Sequence, residues 1–131
     1  AEINKALAGR RVLVSGAGGS IGSELVRQIL QFAPAEVILL DNSEYNLFKV
    51  GQEFAKLSPQ TRKHFALGSV CDQSRLLAIF ERYNPQFVYH AAAYKHVPLL
   101  EGNCYEAFKN NIVGTRNILS LSLALDVERF V

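Results

Sequence analysis

Apolar residues in this chain concentrate in short runs, separated by longer stretches in which they recur every three or four positions. The runs are residues 11–15, 36–41, 63–67, 86–91 and 127–131, and each predicts a β-strand. They show little alternation of apolar and polar positions, as in strands covered on both faces. Between them, residues 20–32, 43–57, 73–83 and 104–125 carry the spacing of amphipathic helices. In the first helix Ile21, Leu25, Val26, Ile29 and Leu30 set that pattern; in the second, Phe48, Phe54 and Leu57 are expected to face the core. Pro34, Pro59 and Pro85 fall in the gaps, where a helix must stop. Ser43 and Asp72 each precede a periodic segment and are expected to cap it. Alternating strands and helices predict an α/β fold with a doubly wound parallel sheet, helices on both faces and the strand order 3-2-1-4-5.

The junction of the first strand and first helix carries the strongest chemical signal. Val12-Leu13-Val14-Ser15 runs into Gly16-Ala17-Gly18-Gly19-Ser20-Ile21-Gly22, with glycines at 16, 19 and 22. In a Rossmann-like sheet this is where bare backbone lets a dinucleotide pyrophosphate approach the amides of a helix N-terminus. Asp41 closes the second apolar run, nineteen residues after Gly22, where a carboxylate accepts hydrogen bonds from the adenosine ribose. No Lys-Ser or Lys-Thr pair follows the last glycine, which argues against a nucleoside-triphosphate loop. Ser20 has a simpler reading as the helix N-cap, which is compatible with phosphate contact.

Composition narrows the partners. The 131 residues fit one domain, and 49% hydrophobic with 20% charged residues is the mix of an ordinary globular chain. A net charge of +2, without blocks of like charge, gives no footprint for nucleic acid. No apolar run approaches the roughly 18 residues of a membrane span, and no signal peptide is legible. Cys71 and Cys104 lie in no CxxC or Cys/His cluster, so two thiols in a reducing cytoplasm is the plain reading, although two cysteines alone do not decide against a disulfide. No set of side chains with metal-ligand spacing is present. His64 is expected at the surface and His90 as a hydrogen-bonded structural residue of the fourth strand.

Four segments together resemble the extended short-chain dehydrogenase/reductase superfamily: GAGGSIGSEL (16–25), DNSEYNLF (41–48), HAAAYKHVPLLE (90–101) and NNIVGTRN (110–117). Within it they look most like the bacterial polysaccharide-biosynthesis nucleotide-sugar 4,6-dehydratases, the retaining UDP-N-acetylglucosamine branch. The first segment is general to the superfamily, whereas Tyr-Lys-His-Val-Pro after the alanines is much narrower. The resemblance implies that Gly16, Gly19, Ser20, Ile21 and Gly22 cradle the pyrophosphate and that Asp41 and Ser43 hold the ribose. It sets Ser69 and Val70 beside the adenine, with Ser69 standing where the family usually has an aspartate, so a weaker adenine contact is expected. Ala91, Ala92 and Ala93 would pass under the cofactor, and Asn111 is the helix asparagine near it. Tyr94, Lys95 and His96 would face the nicotinamide or a sugar phosphate, with a structural role for His96 weighed equally. Asp41 favours NAD, because a carboxylate repels a 2′-phosphate, and NADP stays as the alternative.

The family's catalytic Thr-Asp-Lys and Tyr-x-x-x-Lys segments lie after strand five, so residues 1–131 read as a cofactor-binding domain truncated before the catalytic and substrate-binding part, with no catalytic residue of its own. Two earlier Tyr-x-x-x-Lys matches, Tyr45/Lys49 and Tyr105/Lys109, read as decoys. The first lies on the adenosine side. The second shares a helix with Asn111 but faces elsewhere, at about 100° per residue. The resemblance implies a UDP-N-acetylglucosamine substrate, a homo-oligomer and a cytoplasmic location, with any membrane anchor of the parent outside this chain. A nucleotide-sugar 4-epimerase, a non-catalytic NAD(P)-binding module and a flavodoxin-like domain remain as rival readings.

Overall fold

The computed structural model describes residues 7–91, 115–124 and 129–131. The sheet begins with β1 (Arg11–Ser15), β2 (Glu36–Asp41), β3 (Arg62–Leu67) and β4 (Phe87–His90). Helices α1 (Ser20–Leu30), α2 (Glu44–Phe54) and α3 (Gln73–Tyr83) connect them, and α4 (Thr115–Ala124) follows. The four strands lie parallel in the order β3-β2-β1-β4, and the two-residue β5 (Arg129–Phe130) continues the sheet beside β4. Residues 127 and 128 of the fifth predicted strand, and residues 104–114 and 125 of the last predicted helix, lie outside the described residues. The chain winds outward from β1 through β2 to β3, then returns across β1 to β4. The winding reverses between β1 and β4, and ligands of such sheets bind at the carboxyl ends of the strands beside that reversal.

Side chains along β1 and β2 alternate between two buried clusters because successive residues of a strand point to opposite faces. Val12, Val14, Val37 and Leu39 join Val26 and Phe54 from α1 and α2. Leu13, Ile38, Leu40 and Val88 join Phe80 and Ile118 from α3 and α4. Helices therefore cover both faces, as the apolar runs predict.

Several local expectations need correction. The strand predicted at 63–67 as buried on both sides is half-exposed: only Ala66 is buried, while Phe65 and Leu67 are exposed. Among the described residues β3 pairs with β2 alone, and the Phe65 ring lies over Gly51 of α2, where no side chain closes the edge. Phe48 is 61% exposed, since the buried face of α2 is set by Leu47, Val50 and Phe54 and position 48 lies about 100° off that line. Leu57, 39% exposed, lies past the end of the helix, in a turn closed by its own N–H on the Phe54 carbonyl (3.1 Å). His64 is half-buried rather than on the surface. Its Nε2 lies 2.8 Å from Glu36 Oε1, and its ring packs 4.7 Å from that of Tyr83.

The caps follow the sequence closely. Ser43 accepts from the Asn46 N–H (3.2 Å) and Asp72 from the Arg75 N–H (3.1 Å). At its other end α3 closes on Asn84, which takes the left-handed conformation at φ 51° and donates to the Phe80 carbonyl.

Candidate dinucleotide site

Three glycines of the β1–α1 turn have three different physical reasons to lack a side chain. Gly16 holds φ +70°, a left-handed conformation that reverses the chain directly after Ser15. A Cβ on Gly22 would sit 1.9 Å from the Gly16 carbonyl oxygen, so only glycine lets α1 pack this close to the turn. A Cβ on Gly19 would meet nothing nearer than 3.4 Å, and its backbone is extended (φ −78°, ψ 174°). Neither strain nor packing requires glycine at 19, and the bare backbone leaves the helix start open to an approaching group.

That helix start suits an anion. Gly19 occupies the N-cap position and offers no side-chain acceptor, and the first turn of α1 holds no acidic residue. The amides of Ser20, Ile21 and Gly22 therefore lie at the positive end of the helix with no intrahelical partner. Ser20 is not the cap that its sequence position suggests: it is the first helical residue, exposed, and its carbonyl accepts from the Ser23 hydroxyl (3.3 Å). Ile21 is 55% exposed in the same turn, an apolar surface at the helix start.

Asp41 is 7% exposed at the end of β2. The Gly18 N–H donates to its Oδ2 (2.8 Å) and the Ser43 N–H to its Oδ1 (2.8 Å). The carboxylate thus ties the glycine turn to the start of α2 and keeps lone pairs for further donors. Gly18, passed over by the every-third-residue glycine pattern, is as constrained as Gly22. A Cβ there would lie 2.5 Å from Asn46 Cβ and 3.0 Å from Asp41 Oδ2. The doubled glycine at 18–19 is the sequence signal for it.

The loop between β3 and α3 forms another wall. Ser69 Oγ accepts from the Cys71 N–H (3.1 Å), and the Ser69 carbonyl accepts from the Asp72 N–H (3.0 Å). Val70 turns its side chain into the core with Leu76 and Ile118, which leaves its main chain to line the loop. The Val70 carbonyl accepts from Asn117 Nδ2 (3.1 Å), and Asn117 Oδ1 accepts from Gln73 Nε2 (2.9 Å). No sequence pattern singles out Asn117, because its partners lie 47 and 44 residues away.

At the switch point, His90 Nδ1 and Ser15 Oγ lie 2.7 Å apart, and His90 Nε2 and Thr115 Oγ1 lie 2.8 Å apart. The Ala91 N–H donates to both the carbonyl and the hydroxyl of Ser15 (3.0 and 3.2 Å). Burial pulls the His90 pKa below the ordinary histidine value, so the neutral ring is the favoured form. His90 is the hydrogen-bonded structural histidine that the sequence predicts, bridging β1, β4 and α4.

Gly16, Gly19, Ser20, Ile21, Gly22, Asp41 and Ser43 are therefore gathered at the first crossover, with Ser69, Val70 and Ala91 on the neighbouring strand ends. Ala92, Ala93, Tyr94, Lys95, His96 and Asn111 lie outside the described residues, as do Cys104, Tyr105 and Lys109. The other tyrosine–lysine pair is on the exposed surface of α2, with Lys49 Nζ 5.7 Å from the Tyr45 ring centre. Among the described residues no three His, Cys, Asp or Glu side chains converge as metal ligands, and no helix is long and apolar enough to cross a membrane.

The chain is 41% identical to the capsular polysaccharide biosynthesis protein CapD of Staphylococcus aureus, over 100% of this chain and 22% of CapD. It is 31% identical to a UDP-N-acetylglucosamine 4,6-dehydratase (inverting) of Campylobacter jejuni, over 93% of this chain and 35% of that protein. Among solved structures, Pen from Bacillus thuringiensis superposes with a TM-score of 0.84 at 31% identity, covering 95% of this chain and 36% of that one. UDP-glucose 4-epimerase from Bifidobacterium longum, in complex with NAD+ and UDP, gives 0.75 at 26% identity, covering 92% and 35%. The chain thus spans between about a fifth and a third of the length of these relatives. The family model described as polysaccharide biosynthesis protein matches residues 12–131, and the chain belongs to that family.

Proposed function

We propose that this chain is the cofactor-binding part of a nucleotide-sugar 4,6-dehydratase that acts on UDP-N-acetylglucosamine in polysaccharide biosynthesis, with NAD as its cofactor. The observation that carries the reading is the first crossover, where bare backbone at Gly19 meets a helix start without acidic side chains and Asp41 is fixed beside it. Bound there, NAD supplies a hydride acceptor for sugar C4 and the same hydride for return to C6. The residues of this chain bind and orient. The amides of Ser20, Ile21 and Gly22 donate to the diphosphate. Asp41, aimed by Gly18 and Ser43, accepts from the ribose hydroxyls, and its charge disfavours the 2′-phosphate of NADP. The loop of Ser69 and Val70 walls the adenine, and on this reading Ala91, Ala92, Ala93 and Asn111 are assigned to the nicotinamide end of the cofactor. Tyr94, Lys95 and His96 are assigned to contact with the nicotinamide or a sugar phosphate. Oxidation at C4 acidifies the C5 proton, so water leaves across C5–C6. We place the groups that move those protons in the further length that the relatives possess. The reading sets the enzyme in the cytoplasm as a homo-oligomer, with any membrane anchor outside this chain.

Incubation of the full protein with NAD and UDP-N-acetylglucosamine is expected to yield a 4-keto-6-deoxy sugar nucleotide. Recovery of the C4 epimer instead would establish the second reading, a 4-epimerase, which the structural likeness to the Bifidobacterium epimerase favours. Cofactor binding without any product would reduce the protein to a nucleotide-binding module. The 131-residue chain alone is expected to bind NAD and produce no 4-keto sugar.

A further inference from the structure

The loop that the proposed function sets against the adenine is anchored by the buried side chain of Val70, packed with Leu76 and Ile118. One tight turn, closed by the Asp72 N–H on the Ser69 carbonyl, spans it. Beside it an open cavity of about 380 Å3 is lined by Cys71, Asp72, Gln73, Ser74, Arg116 and Asn117. Asn117 reaches across from α4. It is 3% exposed, and each end of its amide is engaged, Nδ2 with the Val70 carbonyl and Oδ1 with Gln73 Nε2. A carbonyl can only accept, so the contact with Val70 fixes which end of the amide faces the loop. Asparagine meets both demands, whereas an aspartate would turn a second acceptor on Val70 and an alanine would leave a buried carbonyl unpaired.

We propose that Asn117 is a positioning residue for the cofactor, an amide clamp that sets the main chain of Ser69 and Val70 at the height where it reads the adenine base. The inference rests on the proposed reading of that loop as the adenine wall. Asn117 touches no cofactor atom and acts through Val70. The clamp gives the third crossover a fixed edge, while the Ser69 hydroxyl is already engaged by the Cys71 N–H.

Calorimetric titration of the full protein with NAD+ and with nicotinamide guanine dinucleotide, which differs only in the base, tests the clamp. The wild type is expected to prefer NAD+. N117D, which keeps the acceptor for Gln73 and loses the donor to Val70, is expected to weaken NAD+ about tenfold and the guanine analogue less than twofold. Q73A alters an exposed side chain and leaves the Val70 bond, so it folds whatever N117D does; a loss of about twofold to threefold for NAD+ alone is expected. Equal loss for both dinucleotides in either variant, or no loss in both, overturns the clamp while leaving the dinucleotide site standing. A wild type that binds both dinucleotides equally well overturns it too. A wild type that binds neither dinucleotide overturns the proposed function itself.

Discussion

The turn after β1 is shaped by missing side chains and tied by the Asp41 carboxylate, whereas the loop after β3 is anchored by a buried side chain, Val70, and met by an amide arriving from 47 residues away. In the first, Gly16 and Gly22 exist because a Cβ would strain or collide, and Asp41 fastens the Gly18 amide. In the second, Ser69 closes a local turn and Asn117 donates to the Val70 carbonyl from α4. Backbone approach suits a ligand group that is the same in every dinucleotide, the diphosphate. A side-chain clamp suits a group that must be told apart from its relatives, the base.

Gly22→Ala tests the rigid side of this contrast most severely. Its Cβ would lie 1.9 Å from a backbone oxygen with nowhere to move, and overpacking of this kind is expected to destabilise by about 3 kcal/mol, read by chemical denaturation. Gly19→Ala separates binding from folding at the same turn. The 3.4 Å clearance and extended backbone leave only the lost N-cap preference of glycine, a stability change of no more than about 1 kcal/mol. NAD+ affinity, measured by calorimetry, is expected to fall at least about tenfold, or about 1.4 kcal/mol. Equal loss of stability in both variants would erase the distinction between the two glycines.

On the other side of the comparison, Asp72→Ala removes the cap of α3 and is expected to lower stability by about 1 kcal/mol, seen as a fall in Tm. The smallest effect concerns His90, at the boundary of the two regions. Its folded pKa lies below its ordinary value because burial disfavours the charged ring, so near pH 6.5 the unfolded chain binds more protons than the folded one. Its contribution to stability is full above that pH and declines as the pH falls through 6.5 toward the folded value. Denaturant titrations across this window should show the decline in the wild type and a flatter profile in His90→Gln.

Legibility in the sequence follows the same division. The ends of β1 and β2, the caps Ser43 and Asp72 and the glycine turn are readable because their causes are local, each decided within a few residues, whereas the bond from Gly18 to Asp41 spans 23 residues. Phe48 and Leu57 mislead because apolar residues fall off the buried line of Leu47, Val50 and Phe54 and continue beyond the helix end at Phe54. The exposure of Phe65 and Leu67 is invisible from an apolar run alone, since an edge strand and a central strand can share composition. Gly18 is masked by the stronger glycine spacing around it. Asn117 reads as one more polar position of a helix, because only the folded chain brings Val70 to it.

Asp41 anchors the glycine turn and, on the proposed reading, also receives the ribose, which restricts how such a site can change its cofactor. Removing the carboxylate to admit a phosphorylated ribose would also release the Gly18 amide, the only side-chain tether from β2 to the turn among the described residues. A switch of cofactor at this position therefore demands a second substitution that re-anchors the turn, and single-site attempts should yield a looser site before they yield a new preference.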